Sequence, residues 1–193
     1  MGDMKSAFEK ALEKADKIGK LSPEEMRERE EAEYTPIGRA IAERFLGHGH
    51  NKILLEEVER YSGDEKGIVV RATLSRLVEA IDLLNADLIE RSLDGLLTLK
   101  GEERIGGTID RIRILLTEFY EEREQEYARE KENIEKNERE LLHQLRITGS
   151  AVGAINPKAS ECLNIVNEQL NFRFIERLQV LRQELQILKV YEI

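Results

Sequence analysis

Three short motifs hold side chains that could do chemistry. His48-Gly49-His50 sets two imidazoles two residues apart, close enough to share a Zn or Ni ion. Such a site takes a third and usually a fourth ligand, and no nearby acid stands at a diagnostic spacing. Gly47 and Gly49 flank His48, so these residues read equally as a polar turn between helices. Glu140-Leu141-Leu142-His143 supplies one Glu-x-x-His pair, half of what a ferritin-like di-iron centre uses. That chemistry needs the motif twice, with a Glu from each of two further helices. The chain has three His, and neither His48 nor His50 follows a Glu by three positions, so only a symmetric dimer would supply the second pair. Cys162 falls near the start of the last helical segment. A helix N-terminus lowers a thiol pKa, but no His or second Cys stands near it, so it reads as a core or seam thiol.

Other signatures are missing. Gly106-Gly107 has neither the dinucleotide-binding nor the P-loop spacing, and no strand precedes it. There is no G-x-S-x-G nucleophile elbow. The motifs therefore point to no catalytic residue and no cofactor, and the chain reads as a non-enzymatic protein. The alternatives are a metal-binding helical protein using Glu140 and His143 from two subunits, and a chaperone accessory of the helical-arm type.

The elements that must position these residues are all helical. Of 193 residues, 36% are charged and 5% aromatic, with three Pro, a balance that fits long helices with narrow apolar stripes. The net charge of -9 argues against nucleic acid, whose binding rests on phosphate neutralisation by Lys and Arg. The single cysteine fits a reducing cytoplasm, and no apolar run approaches the ~20 residues of a membrane span. No signal-peptide pattern opens the chain. Met1-Gly2-Asp3-Met4-Lys5-Ser6 meets the loose myristoylation pattern, but Met-Gly is also a common start.

Residues 1–100 read as short amphipathic helices forming a globular end. Phe8, Leu12, Ala15 and Ile18 share one helical face, which reads as a docking face. Ser22-Pro23 and Thr35-Pro36 each look like an N-cap followed by a first helical residue. The first of these helices, over residues 21–36, has little to bury. Asn51 is placed to cap a short helix closed by Gly63. Val70, Leu74, Leu77, Ile81, Leu84 and Leu88 form a heptad seam, with a possible break at Asn85-Ala86-Asp87. Gly101, Gly106 and Gly107 are expected to loosen the chain next.

Residues 101–193 read as a long antiparallel helical hairpin, a coiled-coil-like arm of about 50–60 Å, turning near 148–157. Ile105, Ile109, Ile112, Leu116 and Phe119 open it with a dense seam, but fourteen of the twenty residues from Glu121 to Glu140 are charged. Tyr120, Tyr127, Ile134 and Leu141 keep a thin seven-residue spacing there. The last helix is richer. Leu163, Val166, Leu170, Phe174, Leu178, Leu181, Leu185 and Leu188 form one seam, with Ile165, Phe172, Ile175, Val180 and Ile187 beside it. A turn centred on Val152-Gly153 gives partner numbers adding to about 305, so Tyr127 is expected to face Leu178, and Phe119 to lie near Gln186.

The last helix thus holds more apolar surface than its neighbour can cover, which predicts a homodimer. Phe172, Ile175, Leu178, Leu181, Leu185 and Leu188 are the expected dimer or core seam. The small, uncharged turn suggests that Val152 and Ile155 contact a protein partner. This layout resembles that of helical-arm proteins such as prefoldins and GrpE-type nucleotide-exchange factors. The likeness is one of architecture, with no shared residue motif, and it carries no function across.

Overall fold

The computed structural model describes residues 22–146 and 159–187, with the side chains of 163–187 in the second stretch. The N-terminal docking face, Val152, Ile155, the Cys162 side chain and Leu188 lie outside the described residues. The described residues form six α-helices and no strand: α1 Pro23–His48, α2 Asn51–Val58, α3 Gly63–Glu79, α4 Ala86–Lys100, α5 Glu102–Gln144 and α6 Ala159–Ile187.

Helix α1 opens with a capping box. The Glu25 N–H donates to the Ser22 hydroxyl (3.1 Å) and the Ser22 N–H donates to the Glu25 carboxylate (2.7 Å). It closes at Gly49, whose φ of 69° is the left-handed conformation of a helix end. The second helix start expected at Thr35-Pro36 does not occur; Pro36 lies inside a single helix. An internal proline costs about 3 kcal/mol. What offsets it is burial of Ile41, Ala42, Phe45 and Leu46 on the segment that follows.

That segment packs along α3. Arg71 pairs with Glu31 and Arg76 with Glu43, so numbers rise together and the two helices run parallel, with α2 part of the connection between them. At their closest approach a Cβ on Gly38 would fall 2.5 Å from the Val69 carbonyl oxygen and 2.6 Å from Ala72 Cβ. The Thr73 hydroxyl, buried in the same contact, reaches the carbonyl oxygens of Gly38 (3.0 Å) and Val69 (2.8 Å). Across the bundle, Gly95 of α4 leaves room for the Phe45 ring, whose Cε1 would lie 2.5 Å from an added Cβ.

Other expectations shift by a few residues. The N-cap of α2 is His50, without a side-chain cap bond, rather than Asn51. Gly63 opens α3. The seam from Val70 to Leu88 divides at residues 80–85, and the Asn85 side chain caps α4 by accepting from the Leu88 N–H (3.1 Å). Leu74, Leu77 and Ile81 are buried on this seam while Leu84 is exposed. Gly106 and Gly107 do not interrupt the chain; both lie within α5. Each costs up to about 1 kcal/mol in helix propensity, against the burial of Ile105, Ile109 and Ile112 beside them.

Helices α5 and α6 run antiparallel. Arg111 pairs with Glu184, Glu118 with Arg177 and Glu122 with Arg173, and in each pair the two numbers add to 295. The register expected from a symmetric turn, near 305, is therefore off by ten residues. Phe119 meets Phe174 edge-on at 5.5 Å between ring centres, not Gln186. Apolar density explains the shift. The observed register lays Leu178, Leu181 and Leu185 along the rich stretch Ile109–Phe119, whereas the symmetric one places Leu178 on the charged middle of α5. Burying large side chains is worth about 1.5–3 kcal/mol each, while lengthening a loop costs only a few tenths.

One apolar cluster runs from Ile41 of α1 to Leu185 of α6. Replacing Gly38 by Ala should cost about 1–3 kcal/mol by overpacking a backbone contact. A Cβ on Gly107 meets nothing within 4 Å, so Gly107→Ala should gain about 0.5–1 kcal/mol. Thermal unfolding of the two variants checks both signs.

Candidate interaction surface

Helix α6 has two apolar faces. The inner one, Val166, Leu170, Phe174, Leu178, Leu181 and Leu185, is buried. The outer one, Ile165, Phe172, Val180 and Ile187, is 40%, 81%, 55% and 58% exposed respectively. At about 100° of turn per residue these four lie within an arc of about 80°, roughly opposite the inner face.

Ion pairs bound the outer stripe on the side facing α5. Arg173 reaches Glu122 at 3.2 Å, Arg177 reaches Glu118 at 2.7 Å, and Arg111 pairs with Glu184. Arg177 also lies over the Phe174 ring, 5.4 Å from its centre. Exposed pairs of this kind are worth about 0–1 kcal/mol each; their larger effect is to hold three of the charged groups beside the stripe against α5. Between the pairs, Ile114 and Leu115 of α5 and Val180 and Leu181 of α6 line an open groove of about 340 Å³, with Arg111, Arg177 and Glu184 at its edges.

The proximal end of this surface is anchored on the bundle. The Tyr120 hydroxyl donates to the Leu83 carbonyl (3.1 Å), and Arg182 donates to the Ile81 carbonyl. Burial raises the Tyr120 pKa and lowers that of Arg182, which nearby Asp82 partly restores. Both partners lie in the α3–α4 connection, which ties α5 and α6 to the bundle there.

The expected seam therefore divides. Leu178, Leu181 and Leu185 belong to the core against α5, Ile175 is half-buried, and Phe172 points outward. Ile114, 57% exposed, went unnoticed in the sequence. Its signal was available: it is an apolar residue off the seam of Ile109, Ile112, Leu116 and Phe119.

The metal motifs are placed as follows. His48 and His50 line a small cavity of about 160 Å³ with Ile41, Phe45, Leu54 and Glu57, where the Glu57 carboxylate pairs with Arg44 at 2.6 Å. Glu140 and His143 are exposed near the far end of α5. Among the described residues no three His, Cys, Asp or Glu side chains are grouped to hold a metal ion, and no helix there is long and apolar enough to cross a membrane.

No family model matches the chain, and neither a curated protein nor a solved structure matches it.

Two phenylalanines two residues apart give the test of the two-faced helix. Phe174→Ala should cost about 3–5 kcal/mol of stability by leaving a core cavity. Phe172→Ser should change stability by no more than about 0.5 kcal/mol in the monomer. Denaturant titration of the two variants at low protein concentration separates these outcomes.

Proposed function

We propose that this chain is a non-enzymatic helical interaction or scaffold protein of the cytoplasm, working as a homodimer that presents its long helices to a protein partner. The observation that carries the reading is the outer stripe of α6. Its largest residue, Phe172, is 81% exposed, on a helix whose opposite face already fills the core. Large apolar side chains aligned along one exposed helix face support an interaction surface there. A highly charged chain with few aromatics has little reason to hold a phenylalanine in water unless another surface covers it.

The uncharged segment expected to hold Val152 and Ile155 at a turn is the second contact region in this reading. Replacing both by Ser should preserve helicity and weaken partner capture in a pull-down; unchanged capture removes the turn from the interface.

Native mass spectrometry of freshly purified protein reads assembly and bound mass together. A dimer of unmodified chains is the expected result. A monomer at every concentration would remove the homodimer. Added mass equal to iron or zinc would replace this reading with a metal protein built on Glu140 and His143.

A further inference from the structure

Resting on the homodimer reading, we infer how the two copies meet: α6 packs antiparallel against α6 of a second copy, outer stripe on outer stripe, with each Phe172 seated beside the partner's Val180. Three observations carry this.

The first is symmetry. Phe172 and Val180 stand four residues either side of Glu176, and Ile165 and Ile187 stand eleven either side of it. Turned end over end about Glu176, the stripe superimposes on itself, so Ile165 meets the partner's Ile187 and Phe172 meets the partner's Val180. A two-fold interface pairs residue i with j and j with i, and this spacing provides such pairs.

The second is shape. Phe172 is the most exposed large apolar side chain among the described residues. Val180, the position it meets across the axis, lines the groove with Ile114, Leu115 and Leu181. The two stand eight residues apart on one helix, about 12 Å and roughly 80° of turn, so across the two-fold each Phe172 lies beside the partner's Val180 and the large side chains alternate along the seam.

The third is charge. The stripe is interleaved with Gln169, Gln179 and Gln183, and its only charged member is Glu176. The adjacent Arg173, Arg177 and Glu184 are paired with α5. Such a face selects neither a strongly acidic nor a strongly basic partner. It fits an uncharged helical face, and a second copy brings one of matching length. From Ile165 to Ile187 the contact spans roughly 33 Å, a small interface whose affinity falls at the weak end for stable dimers.

The test is cysteine cross-linking of the full chain in a Cys162→Ser background, with sedimentation to count subunits. Gln169→Cys mixed with Gln183→Cys should form a disulfide-linked dimer, and neither should link to itself. Phe172→Glu should raise the dimer dissociation constant about tenfold or more while leaving the circular dichroism unchanged. Gln169→Cys linking to its own kind would mean a parallel pair and overturn the inference. A dimer that forms no 169–183 link and is indifferent to Phe172→Glu would overturn it while leaving the homodimer standing. A monomer up to about 100 μM, well above micromolar affinity, would remove both.

Discussion

Burial of Phe119 against Phe174 is the contact on which the arrangement of the long helices depends. It sits within the dense apolar stretch that sets the register of α5 on α6, and with that register go three ion pairs, the groove beside Val180 and the face that α6 turns to water. Phe119 also meets Tyr120 edge-on at 5.5 Å, and Tyr120 is tied to Leu83. One aromatic cluster thus holds the pair of long helices together and fastens it to the shorter ones. The thin seam beyond it, Tyr127 and Ile134, is only half-buried. Cohesion is concentrated at one end of α5 and fades along its length.

Much of this architecture was legible in the chain. Ser22-Pro23 announces a helix start through local chemistry that tertiary packing leaves alone, and the break read at Asn85-Ala86-Asp87 falls where α4 begins. The stripe of Ile105, Ile109, Ile112, Leu116 and Phe119 is periodic enough to be read directly. Where reading failed, a long-range contact overrode a local signal. Pro36 ordinarily starts or breaks a helix, but the buried residues after it hold α1 continuous. Gly106 and Gly107 are carried by the isoleucines around them. The ten-residue register error came from treating the turn as the authority, when the density of apolar side chains on the two helices decides how they slide. Of the candidate surface, Phe172, Val180 and Ile187 were visible as apolar residues off the main seam. Which of them would face outward depended on the register, and so did the groove formed with Ile114.

The surface logic of α6 follows from having two apolar faces on one cylinder. Helix α5 covers one. Its charged residues flank that contact and reach across it to Arg173, Arg177 and Glu184, so α5 cannot also wrap round to the other face. The same ion pairs keep the border of the outer stripe short of free charge, which lowers the cost of bringing a second apolar surface against it.

The parallel packing of α1 and α3 has an electrostatic consequence of its own. Each helix carries a macrodipole equivalent to roughly half a positive charge at its N-terminus. Antiparallel neighbours offset one another, whereas these two bring like poles to the same end of the bundle. Both first turns are acidic: Glu24 and Glu25 on α1, Asp64 and Glu65 on α3. These four carboxylates counter the two positive ends, so the parallel pair forms without an unbalanced field. Part of the chain's large acidic excess is thereby a feature of its topology: carboxylates gathered where two aligned dipoles begin.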